Sequence, residues 1–214
     1  MDRTITGTGA IQMKKRVVFI HSAGPQGHRQ GSSALIAYLQ TSLGPDYEVS
    51  HPQMPNPENP EYVLWRKQLE REFAALDREV ILVGHSLGGS VLLKYLSENS
   101  FHQPIAGFFG IAAPFWGKDE EWQSGDFVME ENFHIKLPAV SRMFFYHSRN
   151  DQIVPYTHLG QYAAKLPQAT VRTLDGIEHF FHEGLPQLVS DIELVGSRNL
   201  SQGLFSCLWP PFIK

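Results

Sequence analysis

Residues 79–97 read EVILVGHSLGGSVLLKYLS. The first five are a short β-branched, apolar run. Gly84-His85-Ser86-Leu87-Gly88 follows without a gap, and helical spacing of apolar residues begins after it, at Val91, Leu92, Tyr95 and Leu96. A G-x-S-x-G between a strand and a helix is the pattern of a nucleophile elbow. Glycines two residues before and two after the serine remove Cβ atoms that a tight turn would bring into collision. The turn lifts the Ser86 hydroxyl off the sheet, and the next helix aims its N-terminal N–H groups at the same place. The bare pattern also occurs as an ordinary glycine–serine turn. The strand before it, Gly89 extending the small-residue turn and the helical face after it decide for the elbow.

Outward from this stretch, strands and helices alternate. Upstream, residues 16–20 (RVVFI) are too apolar for a water-facing edge and read as a buried parallel strand. His21-Ser22-Ala23-Gly24-Pro25 then forms a small-residue loop able to bring backbone N–H groups close to a ligand. Ser32 is placed to cap a helix carrying Leu35, Ile36, Leu39 and Leu43 on one face. A weak strand at 47–51 and a proline-rich loop precede a stripe of Tyr62, Trp65, Leu69, Phe73 and Leu76, which reads as core packing. Downstream, strands are expected at 105–111, 143–147 and 169–174, with helices around Leu159–Leu166 and over 185–195. Six strands and about five helices in alternation predict a mostly parallel sheet with helices on both faces. Residues 114–137 form an irregular insert, with Asp119, Glu120, Glu121 and Asp126 among Trp116, Trp122, Phe127 and Phe133. It reads either as a solvated excursion with aromatic anchors or as a small lid shaping an acyl or aromatic pocket.

A serine hydroxyl is a poor nucleophile at neutral pH. It needs a base within hydrogen-bond reach, and that base needs a third group to fix its tautomer. In an open parallel sheet these groups belong at the C-terminal strand ends. Ser86, Asp151 and His179 stand there, in that chain order. Asp126, Asp175 and Glu178 are weaker candidates for the acid, and His182 is the rival base. His85 and His21 are expected to support the turn and loop. The oxyanion of a tetrahedral intermediate needs preorganised donors. The Leu87 backbone N–H is one. The second falls in the first loop, at Ala23, with Ser22 and Gly24 as alternatives.

The chain has 214 residues, enough for one domain with its own core. A net charge of −4 recommends no nucleic-acid or membrane partner. The single cysteine, Cys207, excludes an internal disulfide framework or a cysteine metal site, and a cytoplasmic protein is the plain expectation. No stretch has the length of a transmembrane helix. Residues 1–12 are polar, lack an apolar signal core and read as a non-native or alternative extension before a domain over 13–195. Residues 196–214 form a C-terminal tail.

These residues resemble the α/β-hydrolase superfamily, and within it the small, capless serine hydrolases related to retinoblastoma-binding protein nine and its bacterial relatives. The resemblance is carried by VVFIHSAG at 17–24, VGHSLGG at 83–89, SRNDQIVP at 148–155 and GIEHF at 176–180. It implies a single-domain α/β-hydrolase fold, with Ser86 as nucleophile, Asp151 as acid and His179 as base. It departs at His21-Ser22-Ala23-Gly24, where many relatives have His-Gly. The implied reaction is hydrolysis of a small acyl ester through an acyl-enzyme, with no metal or organic cofactor. An amidase or aminopeptidase on the same triad, and a binding module that keeps the fold, are the alternatives.

Overall fold

A computed structural model describes residues 13–197. The expected extension at 1–12, and all but the first two residues of the expected tail, lie outside the described residues. The elements run β1 (Lys15–Ile20), α1 (Ser33–Leu43), β2 (Tyr47–Ser50), α2 (Tyr62–Ala74), β3 (Val80–His85), α3 (Leu87–Glu98), β4 (Ile105–Ile111), α4 (Phe133–Lys136), β5 (Met143–Ser148), α5 (Thr157–Lys165), β6 (Thr170–Leu174) and α6 (Pro186–Ser197). The six strands form one sheet in the order β2-β1-β3-β4-β5-β6, and every pairing is parallel. Among the described residues this is the α/β-hydrolase arrangement without flanking antiparallel strands.

Parallel strands need crossovers, and the crossovers put helices on both faces. One face packs α1 and α6 against Val17, Phe19, Ile81, Val83, Phe109 and Phe144. The other packs α2, α3 and α5 against Val18, Ile20, Leu82, Phe108 and Phe145. Alternate residues of each strand therefore serve opposite layers. The expected stripe on α2 is core, with Trp65, Leu69 and Phe73 buried.

Four local differences from the sequence reading have physical causes. Strand β3 continues through Gly84 and His85 to the serine itself, because Gly84 and His85 still pair with Gly110 and Ile111 of β4. Helix α3 is buried all round from Leu87 to Ser97, not only on one face. The 114–137 excursion lies over its far side: Ser90 Oγ donates to Pro114 O at 2.7 Å, and Lys94 Nζ donates to Val128 O at 2.7 Å. Helix α4, a single turn within that excursion, has no periodicity long enough to read. Helix α6 runs two residues past the expected boundary at Val195.

The excursion is anchored by its aromatics. Phe115, Phe127 and Phe133 are buried, and Trp116 stacks edge-on to Trp122 at 5.0 Å. Glu120, Glu121 and Asp126 face solvent, while Asp119 meets His158 of α5 at 2.8 Å. The other nitrogen of His158, Nδ1, accepts the Phe115 N–H at 2.7 Å.

Candidate active site

After β1 the chain moves to β2 on one side of it. After β2 it returns to β3 on the other side. Loops leaving β1 and β3 therefore diverge, and the crevice between them at the C-terminal strand ends is where an open α/β sheet binds ligands. The β1 loop carries His21-Ser22-Ala23-Gly24. The β3 loop is the elbow.

Ser86 has φ 52° and ψ −123°, a backbone conformation that costs a non-glycine residue on the order of 1–3 kcal/mol. The surroundings hold it there. Its N–H donates to Ile111 O at 2.7 Å, and its carbonyl accepts the Gly89 N–H at 3.0 Å. A Cβ on Gly84 would lie 2.5 Å from Gly89 Cα, and one on Gly88 would fall on the backbone of Ile20 and His21. The two glycines thus let the turn close on itself and on β1. Ala112 (φ 47°) and Phe181 (φ 52°), in the loops after β4 and β6, carry the same kind of strain.

Asp151 follows β5 and His179 follows β6. His179 Nδ1 lies 2.8 Å from Asp151 Oδ2. A carboxylate only accepts, so Nδ1 carries the proton and the Nε2 lone pair is free. Nε2 is buried with no hydrogen-bond partner among the described residues. Asp151 Oδ1 accepts the N–H groups of Ile153 and Val154, both at 2.9 Å. Its Oδ2 also faces His147 Nε2 at 3.4 Å, and that nitrogen donates to Val154 O at 2.9 Å. Burial alone would raise the Asp151 carboxyl. The bonds from His147 and His179, the charge interaction with His179 and the Ile153 N–H outweigh it and hold the group well below the usual carboxylate range. The arrangement can take a proton at Nε2 and stabilise the imidazolium that results.

The rivals lie elsewhere. Asp126 and Glu178 are exposed, and Asp175 is exposed and paired with Arg149 at 3.1 Å. His182 is exposed and rests on Phe180. His21 is buried against Phe19 and His51, and burial, reinforced by His51, lowers it to about 4.

The expected cap at Ser32 is replaced by a different role. Ser32 makes no side-chain cap bond to α1. Its hydroxyl instead accepts the Ser22 N–H at 2.9 Å and reaches Ser22 Oγ at 3.2 Å and His85 Nδ1 at 2.9 Å. His85 Nε2 lies 2.9 Å from the His179 carbonyl oxygen. His147 and Ser32 are thus polar residues whose part in this site the sequence does not show, Ser32 reading there only as a cap. Neither lies in a motif; Ser32 meets its partners through the tertiary fold, and His147 meets Asp151 and Val154 where the chain turns back after β5.

Hydrogen bonding also sorts the loop N–H groups. Ser22 N–H is taken by Ser32, and Gly24 N–H donates to Pro57 O at 2.6 Å. Ala23 is exposed, and its N–H has no acceptor among the described residues. Leu87 opens α3, so its N–H has no carbonyl within the helix to bond.

A family model described as serine hydrolase matches residues 31–187, well over half of the chain. The span contains Ser86, Asp151 and His179. No curated protein sequence matches. Among solved structures, the ydeN gene product of B. subtilis is 22% identical, with a TM-score of 0.70, over 86% of this chain and 100% of that one. A serine hydrolase involved in carbazole degradation, CarC, is 13% identical, with a TM-score of 0.64, over 87% of this chain and 92% of that one. Est1E from Butyrivibrio proteoclasticus is 15% identical, with a TM-score of 0.60, over 91% and 90%. At these identities the likeness is one of fold.

Proposed function

This chain belongs to the serine hydrolase family, and from that premise we propose that it cleaves small carboxylic esters through Ser86, His179 and Asp151. The observation that carries the reading is the His179–Asp151 pair at 2.8 Å, with Nε2 of the histidine left free beside the strained elbow. His179 Nε2 takes the Ser86 proton as Oγ attacks the acyl carbon. Asp151 holds the tautomer and offsets the imidazolium charge. The N–H groups of Leu87 and Ala23 receive the oxyanion, and the positive end of α3 adds to the field there. Protonated His179 gives its proton to the departing alkoxide. A water deprotonated by His179 then attacks the acyl-enzyme and releases the acid. The substrate is a small molecule, and the single cysteine suits a cytoplasmic setting.

The test is intact-mass analysis after treatment with a fluorophosphonate probe, on wild type, Ser86→Ala and His179→Ala. We expect one adduct on wild type, located at Ser86, and none on either variant. A folded wild type that takes no adduct overturns the proposal in favour of a binding module. Turnover of p-nitrophenyl acetate should exceed that of the matching anilide. The reverse order makes the chain an amidase on the same triad.

A further inference from the structure

We propose that Ser32 is a positioning residue for the reaction above, on which this inference rests: through one buried hydroxyl it sets the oxyanion loop and, by way of His85, the backbone of the base. The four residues concerned come from four separate segments: Ser22 after β1, Ser32 before α1, His85 at the end of β3 and His179 after β6. They are 2%, 0%, 0% and 3% exposed, so no solvent competes for their hydrogen bonds.

The direction of each bond follows from what each atom can do. The His179 carbonyl oxygen only accepts, so His85 Nε2 carries a proton and donates to it. Burial, with the neighbouring His179, lowers His85 to about 3, so the ring is neutral and its Nδ1 is bare. The Ser32 hydroxyl must then donate to Nδ1. With its proton spent there, Ser32 Oγ receives the Ser22 N–H at 2.9 Å, and the Ser22 hydroxyl lies 3.2 Å from it. From the Ser22 N–H through Ser32 and His85 to the His179 carbonyl, each bond has one sense.

Two consequences follow for the site. Ser22 N–H is turned inward, and Gly24 N–H is held by Pro57, which leaves Ala23 as the loop residue able to present an N–H to an oxyanion. The same hydroxyl, through the imidazole of His85, fixes the main chain of His179, while Asp151 fixes its ring. His85 lies directly before Ser86, and its ring packs 5.1 Å from that of His179. Ser32 therefore ties the loop that stabilises the tetrahedral oxygen to the loop that moves the proton, across the elbow between them. It touches neither substrate nor reacting atoms.

The experiment begins with fluorophosphonate labelling of wild type. A folded wild type without an adduct overturns the hydrolase reading and this inference with it. With labelling in hand, Ser32→Ala, Ser32→Thr, His85→Asn and the double variant Ser32→Ala/His85→Asn are compared on p-nitrophenyl acetate and with a boronic acid, whose tetrahedral adduct uses the oxyanion donors. Ser32→Ala is expected to lower kcat by about 10- to 100-fold, the scale of a small misplacement at a reacting centre. Its KM should stay within about threefold, and boronate affinity should fall in step with kcat. Ser32→Thr, which restores the hydroxyl, should recover most of the loss, and the double variant should lose no more than the worse single one. Ser32→Ala with unchanged kcat and boronate affinity overturns the proposal while leaving the triad reading intact. Additive losses in the double variant overturn the His85 arm. If the His85 variants fail to fold, the alanine and threonine variants at Ser32 decide alone.

Discussion

Asp151 receives two backbone N–H groups on one oxygen and two histidine nitrogens on the other. A carboxylate supplied in this way stays ionised through the mildly acidic range, so an acid loss of turnover will not be the titration of Asp151. Its role in the proposal is to keep the His179 proton on Nδ1. Asp151→Asn keeps the shape but puts an amide where only an acceptor serves. Steady-state kinetics on the variant should show kcat down by about four orders of magnitude with the fold intact, as expected when the base is left in the wrong tautomer. An undiminished kcat would remove Asp151 from the mechanism. Ser86, Asp151 and His179 could be read from sequence as candidates because each stands in a short pattern at a strand end. Ser32 could not. From sequence it is a polar residue ahead of a helix, where capping is the common use, and its real partners are brought to it by β1 and β3. His147 was hidden likewise, inside an apolar strand whose last turn happens to meet the acid.

At the scale of elements, the elbow works because α3 sits almost on top of the ends of β1 and β3. Gly88→Ala would drive a methyl group into the Ile20 and His21 carbonyls, and the backbone cannot yield as a side chain would. It should cost about 2–3 kcal/mol in urea unfolding, the scale of core overpacking. Gly160 makes the opposite case: it is exposed on α5, and a Cβ there meets nothing within 4 Å. Gly160→Ala should stabilise by about 1 kcal/mol and raise Tm, because alanine favours a helix interior where glycine does not. The strands were legible to within a residue or two at most ends, since their apolar runs are long and their breakers clear. The run of α3 was legible, but its burial was not. Periodicity marks the face turned to the sheet and carries no information about a later segment laid across the back.

For the molecule as a whole, both faces of the sheet are closed, and buried histidines become a liability in acid. His85 is lowered to about 3 and His21 to about 4, each chiefly by burial, whereas an unfolded chain binds these protons near pH 6.5. Between those limits the unfolded state holds more protons. The stability linked to them is therefore complete above about pH 6.5 and is lost as pH falls toward 4. His85 alone gives a slope of up to about 1.4 kcal/mol per pH unit. Urea midpoints should decline across that window, and His85→Asn should decline less steeply than wild type. Parallel curves would place the acid sensitivity elsewhere. Composition and alternation gave the layer class in advance, but assigning α1 and α6 to one face and α2, α3 and α5 to the other required the strand order.

That strand order also bears on biosynthesis. Among the described residues the edge strand β6 pairs only with β5, and the loop that carries His179 comes after it. A ribosome therefore makes the elbow before the base. Until residue 179 has been added, Ser86 lacks the imidazole proposed as its base. The proposed chemistry therefore waits on the segment after β6, made after both the nucleophile and the acid.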